Sequence, residues 1–535
     1  MRSPLLILFS AILLLPFFRL WATNIVVSGN ASGNWTVDTV MVMGDLTIPA
    51  DSTLTVNPGV LVEFFGHYQI MVKGMVIANG TSGQMIRFSV NDSTGFTDTL
   101  SAAGGWHGFF YDHLLSSTDS SVFSHCIFEY GKAAVSSDTA GLYGGAFRIF
   151  NFGKIRFSDC RFENNLAYRW GGAVYAKYSN IVIENCNLIN NHCGKATSPY
   201  GYGGALCFVH STPRVQYNYF EKNRSTGIGG AASFEYSDAI VRYNVFYQNK
   251  SGLGGAVGYM RSQPANIISN NLMNQNTAIY FGGAIACIRT NAKFANNTIV
   301  NNLAMYGGAF YANDSACPSN YNTIFYNDWA PEGEEVYIFD IISAPNFYYC
   351  NVPGGKDAFS GGGGHQGYHG QYENNYDTVP MFSGTGEFPY ELLEGSPLID
   401  AGMPDTTGLQ IPLTDLAGNG RIYNGTIDPG AFEWFPGVGL RGFTRQSGIN
   451  VSPNPCLDQV MITFNTGKAG PVVIRIIDLK GNMVRLLGSG FYDQGKNSLD
   501  WDLKMDSGKR VEPGIYICLL DGGQWKDSAL IEVVK

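Results

Sequence analysis

"FENNLAYRWGGAVYA", residues 162–176, places two asparagines a few positions ahead of two glycines and an alanine, a combination suited to neither an ordinary helix nor an ordinary strand. The Gly-Gly-Ala triplet recurs, beginning at Gly144, Gly171, Gly203, Gly229, Gly254, Gly282 and Gly307, at intervals of 27, 32, 26, 25, 28 and 25 residues. A period in the twenties signals a solenoid. Ahead of each triplet but the first stands an apolar residue followed three positions later by asparagine: Phe162/Asn165, Leu188/Asn191, Phe220/Asn223, Phe246/Asn249, Met273/Asn276 and Ile299/Asn302, with Ile324/Asn327 continuing the pattern. Two positions before those apolar residues come Cys160, Cys186, Asn218, Asn244, Asn271, Asn297 and Asn322, and Cys126 and Cys350 extend the column at its ends.

Cysteines falling in register with asparagines read as small ladder side chains stacked coil on coil. A Cys160–Cys186 bridge is within reach, because strands about 4.8 Å apart fall inside the disulfide range, but sheet geometry aims such thiols poorly. After each triplet the first and third residues are mostly apolar or small, as in Val174-Tyr175-Ala176-Lys177, and a second short strand follows, as in "NIVIENC" and "AIVRYNV". Alternation of this kind marks one face turned inward. Each repeat therefore holds two or three strands joined by tight bends, and the chain is predicted to wind as a parallel β-helix. Glycine and asparagine supply the sharp corners, and stacked asparagine amides satisfy each other's buried polar groups. Eight intervals from Cys126 to Cys350 give a regular rod on the order of 38 Å long.

The chain begins MRSPLLILFSAILLLPFFRLWAT: a positive charge, an apolar run interrupted by Pro16, and a small residue at Ala22. That is the pattern of a secretory signal peptide, and no other stretch is long and apolar enough to predict a membrane span. A net charge of −9 without a basic cluster argues against a nucleic-acid partner. The predicted organisation is a signal peptide (1–22), an opening cap with the first coils (23–112), regular coils (113–353), a loop-rich closing segment (354–436), a linker (437–448) and a small β-sandwich (449–535), all-β throughout.

The coils resemble the right-handed parallel β-helix proteins of the pectate-lyase-like superfamily, whose repeats read F-x-x-N-x-A…G-G-A. The early stretch "TLTVNPGVLVEF…GGWHGFFY" resembles their first coils, with a turn at Trp106-His107-Gly108. The last block, with Ser452-Pro453-Asn454-Pro455, Asp478-x-x-Gly481 and Gly514-x-Tyr516, resembles the C-terminal sorting domain of the type IX secretion system. That resemblance implies export across the outer membrane of a Gram-negative bacterium, the secretion machinery as a partner, and a secreted or cell-surface location.

In the lyase relatives an outer face gathers acids for calcium beside a base. Here the outward positions after Gly-Gly-Ala carry Arg148, Tyr175, Lys177, Tyr178, His210, Glu235, Tyr236, Arg261, Arg289 and Asp314, with acids too sparse for a calcium cluster, so no cofactor is expected. A glycosidase needs two carboxylates about 5–10 Å apart, and Glu235 alone sits well on this face. The aromatics suggest sugar stacking, with Phe208, Phe234 and Phe310 expected inside and Tyr175, Tyr178, Tyr236, Tyr259 and Tyr311 repeating along the rod. The candidate ligand-binding set is Tyr175, Lys177, Tyr178, His210, Glu235, Tyr236 and Arg261. The expected function is noncatalytic binding of a polysaccharide or cell-surface glycan, with a polysaccharide lyase or glycoside hydrolase as the alternative. Asp400, Asp415, Arg421, Asp428 and Glu433 are read as a buried structural network rather than a metal or catalytic site. His365 and His369 are read as part of a flexible glycine-rich loop.

Overall fold

The structure, a computed structural model, describes residues 23–112, 120–134, 139–195, 200–262, 267–385, 388–435, 449–466, 470–478, 483–506, 508–521 and 526–534. The expected signal peptide and linker lie outside the described residues. The chain divides into two compact units, Met1–Pro380 with Ser396–Glu433, and Met381–Gly395 with Trp434–Lys535.

The first unit is a parallel β-helix. One coil shows the plan: Val174–Lys177, Val182–Glu184, Asn187–Ile189 and a fourth, two-residue strand, His192–Cys193, which the sequence pattern did not reveal. Every strand pairs in parallel with its counterpart one coil away, for example Val174↔Leu206 and Ile183↔Val215. The strands build parallel sheets of 22, 13 and 6 members. The largest is continuous because the long strand Thr39–Ile48 pairs with both Leu61–Phe64 and Ile70–Val72. Phenylalanines fill the axis: Phe208, Phe234 and Phe310 are fully buried, and Phe208 stacks on Phe234 at 5.5 Å.

The two glycines of each triplet do different work. The first has a left-handed backbone, φ +61 to +71 along the column, while at the second a Cβ would overlap a carbonyl oxygen of the next coil, as Gly230 would with Gly255. The alanine that follows is buried in every repeat.

Both predicted columns exist. In one, the Asn165, Asn191, Asn223, Asn249 and Asn276 amides each donate to the Oδ1 of the next asparagine at 2.9–3.0 Å and to a carbonyl of the preceding coil. The second runs Cys126, Cys160, Cys186, Asn218, Asn244, Asn271, Asn297. Its ten-cysteine chain has no disulfide: all ten thiols are free, and Cys160 Sγ donates to the Phe123 carbonyl at 3.4 Å as an asparagine amide would.

The column slips by one residue near its end. Thr298 pairs with Ile324 and Ile299 with Phe325, so Phe325, Thr323 and Asp328, not Ile324, Asn322 and Asn327, continue the pattern. The slip is invisible in the sequence because Ile324/Phe325 and Asn327/Asp328 are interchangeable in type, whereas a one-residue shift reverses which side chains face inward. Asn322 and Asn327 instead take left-handed corners. Asp328 ends the asparagine column, its Oδ1 accepting the Asn302 N–H and amide at 2.6 and 2.7 Å.

The closing segment does not simply terminate the rod. Residues 396–433 run back as a strap along one corner, where the Tyr243 hydroxyl and the Asn270 amide both donate to the Thr414 carbonyl at 2.9 Å, the Asn296 amide donates to the Asp428 carbonyl at 3.0 Å, and the Met403 N–H donates to Asn322 Oδ1 at 2.7 Å.

The second unit contains two antiparallel sheets, of Asn450–Ser452, Val460–Thr466 and Gly495–Trp501, and of Met483–Tyr492, Gly470–Asp478, Gly514–Asp521 and Lys526–Val533. Their inward residues, among them Ile462, Phe464, Ile474, Ile476 and Trp501, form one core. Tyr516 packs edge-on to Trp501 at 5.6 Å and donates its hydroxyl to the Glu512 carbonyl at 2.7 Å, which gives the Gly514-x-Tyr516 motif a structural role.

Candidate functional site: an exposed corner ladder

The strand after each Gly-Gly-Ala ends on a residue with a left-handed backbone. Successive coils place Asn151, Tyr178, His210, Tyr236, Arg261, Arg289 and Asp314 there, with φ between 48° and 58°. At a second corner, which the strap covers from Tyr243 onward, the same conformation falls to Asn185, Tyr217, Tyr243, Asn270, Asn296 and Asn322, four of six being asparagine. Asparagine tolerates this geometry, and bulkier residues pay roughly 1–2 kcal/mol for it. Four of the five consecutive rungs from Tyr178 to Arg289, namely Tyr178, Tyr236, Arg261 and Arg289, therefore retain bulky side chains against their backbone preference, while His210, like asparagine, tolerates it.

A serine after each of the first four holds the corner: Ser179, Ser211, Ser237 and Ser262. The Ser179 N–H donates to Ser211 Oγ at 3.0 Å, Ser211 N–H to Ser237 Oγ at 3.1 Å and Ser237 N–H to Ser262 Oγ at 3.3 Å. Each hydroxyl donates in turn to the carbonyl two residues back, as Ser179 does to Lys177 at 2.8 Å. This third ladder was legible as a recurring Tyr-Ser, His-Ser, Tyr-Ser, Arg-Ser dipeptide but carries no period of its own beyond that of the coils.

The side chains stack as the backbone does. The Tyr178 and His210 rings lie 5.0 Å apart at 15°, and His210 and Tyr236 lie 4.7 Å apart at 5°. Lys177 Nζ is 5.3 Å from the Tyr178 ring centre, and the Arg261 guanidinium is 5.7 Å from that of Tyr236 while donating to Glu235 Oε1 at 2.7 Å. Tyr178 and Tyr236 are 52% and 47% exposed. Six of the seven predicted residues thus converge.

Two expectations fail. Tyr175 is 3% exposed, stacked on Tyr143 at 4.7 Å and packed with Cys207 and Val209, and burial pushes its phenol up. The cause is the residue before each Gly-Gly: Trp170, Tyr202, Ile228 and Leu253 form a column of their own beside the outward strand positions, and Trp170 and Tyr202 pack against Tyr175. Tyr259 lies in the core and Tyr311 is 2% exposed, so neither repeats on the surface. In addition, the three exposed rings spend their faces on one another. What they offer solvent is edges, a row of phenol oxygens and imidazole nitrogens at the rung spacing, which suits hydrogen bonding to hydroxyls rather than the face-on stacking expected from the sequence.

Other polar groups have structural partners. His107 stacks on His67 at 4.6 Å and meets Arg148, itself nearly buried, at 3.2 Å; burial, then Arg148 and His67, hold the His107 imidazole down at about 4. In the strap, Arg421 is buried, donates to the Asp428 and Gly430 carbonyls and lies 3.9 Å from Glu433, whose oxygens accept the Tyr423 and Asp428 N–H groups. Asp415 accepts the Glu433 N–H at 2.9 Å, and Asp428 the Asp400 N–H at 2.6 Å. His365 opens a short 3-10 turn and is not one helical turn from His369. Among the described residues no group of three or more His, Cys, Asp or Glu side chains is placed to hold a metal ion, and no helix is long and apolar enough to cross a membrane.

A search of curated proteins finds no match to the chain. Residues 107–302, the coils that carry the asparagine columns and the Tyr178 corner, match the family model described as the right handed beta helix region.

Proposed function

We propose that this protein is an exported rod that binds an extended glycan along the corner carrying Lys177, Tyr178, His210, Tyr236 and Arg261, without cleaving it. The observation that carries the reading is the exposed stack of Tyr178, His210 and Tyr236, which repeats hydrogen-bonding edges every rung on a backbone pinned by serines. Long solenoid faces favour extended ligands, and a polyhydroxyl chain presents groups at a comparable repeat. Glu235 is engaged by Arg261, which favours a binding role for it over an acid–base one. Export is assigned to the N-terminal signal peptide and to the C-terminal sandwich as a type IX sorting domain, which would place the rod on the surface of a Gram-negative cell.

A glycan array combined with reducing-end and unsaturated-uronate assays tests the reading. The expected result is binding without turnover, lost in the Tyr178→Ala/Tyr236→Ala double variant with the thermal midpoint little changed. Turnover would replace it with the lyase or hydrolase alternative, and neither binding nor turnover would leave a spacer. Deleting residues 449–535 should retain the rod inside the outer membrane; normal surface display of the truncated chain would remove the sorting assignment.

A further inference from the structure

The short fourth strand of the coils carries a row that runs in register from buried Leu166 through His192, Arg224 and Lys250 to Thr277, Leu303 and Trp329. Two consecutive rungs, Arg224 and Lys250, carry cations, with His192 on the rung before them, at a spacing of about 4.8 Å. Arg224 and Lys250 are exposed, and no carboxylate pairs with either among the described residues. The strand-and-turn segments themselves, NHCGK (191–195), NRSTGI (223–228) and NKSGL (249–253), contain no Asp or Glu, in a chain whose net charge is −9. The neighbouring acid, Glu221, is occupied by Lys222 at 2.6 Å. Burial, and to a lesser degree the Arg224 charge, hold the His192 imidazole below its ordinary range, so it stays neutral and the charge of the row is that of Arg224 and Lys250. Farther along the same row Trp329 is 54% exposed.

We propose that this row is a second binding surface, for an acidic polysaccharide, in which Arg224 and Lys250 pair with successive carboxylate or sulfate groups and Trp329 packs against a sugar ring farther along the chain. It does not rest on the reading of the Tyr178 corner, which lies on a different sheet. Charge complementarity selects the occupant: two adjacent unpaired cations at a strand repeat match a linear polymer bearing one anion per unit. The aromatic on the same row favours a glycan over a polymer of bare charge.

The test uses the full chain with three immobilised polymers, a polyuronate, a sulfated glycan and a neutral glucan, and with single-stranded DNA matched in charge. Binding to the polyuronate, the sulfated glycan or both, and not to the glucan, is expected, and the arm that binds names the anion. Arg224→Gln/Lys250→Gln should weaken it by roughly tenfold or more and make the slope of log affinity against log salt shallower by about one to two. Trp329→Ala should weaken it by roughly tenfold with the salt slope unchanged, while Tyr178→Ala/Tyr236→Ala should leave it intact, so this site and the proposed glycan corner fail separately. Circular dichroism confirms that the exposed substitutions leave the fold in place. The proposal is overturned if neither acidic polymer binds, if the double glutamine variant binds as the parent does, or if DNA binds as tightly as the acidic glycan.

Discussion

Two corners of the rod are built alike and differ in what covers them. One runs through Tyr217, Tyr243, Asn270, Asn296 and Asn322, the other through Tyr178, His210, Tyr236 and Arg261; both take left-handed backbones on every rung, and both carry stacked rings, Tyr217 on Tyr243 at 4.5 Å and His210 on Tyr236 at 4.7 Å. Over the first, from Tyr243 onward, lies the molecule's own strap, whose carbonyls accept from Tyr243, Asn270 and Asn296, while Tyr217 on the rung before stays exposed. The second is open. The difference teaches that a corner ladder is a rail on which an extended chain with hydrogen-bonding groups can lie, and it gives a physical precedent inside the same molecule for the glycan proposed at the open corner.

The comparison is broken most forcefully at the strap's core. Arg421→Ala would leave Glu433, Asp415 and Asp428 as buried acids without their cation, and such losses cost about 3–5 kcal/mol. Urea denaturation should show a loss of that size with glycan binding at the open corner retained; a loss under about 1 kcal/mol would mean the strap is held elsewhere. The same cluster should respond to pH. Burial raises the Glu433 carboxyl from 4.5 to about 8, against the pull of Arg421. A raised folded-state value means the contribution is fully present below about pH 4.5 and is lost as pH rises through about 8. The thermal midpoint should therefore fall between pH 5 and pH 8, and Glu433→Gln should flatten that part of the profile.

Within the shared scaffold, Asn249→Leu strands the Asn223 N–H and amide and the Phe220 carbonyl. At about 1–3 kcal/mol per stranded buried group, a net loss of about 3 kcal/mol is expected, felt at both corners alike. The smallest effects sharpen the contrast between them. Tyr243→Phe should cost about 1 kcal/mol, since it removes the hydroxyl that bonds the Thr414 carbonyl and hydroxyl of the strap. Tyr178→Asn should change stability by less than about 1 kcal/mol, because relief of the left-handed backbone offsets the lost stacking, yet weaken glycan binding by roughly tenfold. If Tyr178→Asn destabilises more than Tyr243→Phe, the open corner is structural and the proposed site is wrong.

The register of the coils was legible because glycine, alanine and asparagine recur where the backbone leaves no alternative: a second glycine that meets the next coil's carbonyl admits no Cβ, and a buried amide needs its neighbour. Where side-chain types were degenerate the reading lost its place, as at Ile324/Phe325. The short strand His192–Cys193 was missed because two residues carry no period. Lys177, Tyr178, His210, Glu235, Tyr236 and Arg261 were found by two adjacent offsets, six and seven residues after the first glycine of Gly-Gly-Ala, while Tyr175, four after it, was read as outward by the same logic and is buried.

The sequence alone determined the winding of the rod, since a repeat of hard local constraints specifies which residues lie above one another whatever surrounds them. Tertiary structure decided which of those columns meet water. Burial of Tyr175 depends on Tyr143 and Tyr202 arriving from neighbouring turns beside Trp170 of its own, and the covering of the Tyr243 corner depends on residues more than 140 positions away in the chain. Exposure is a property of everything packed against a residue, and a column read from one period contains no record of what lies across it.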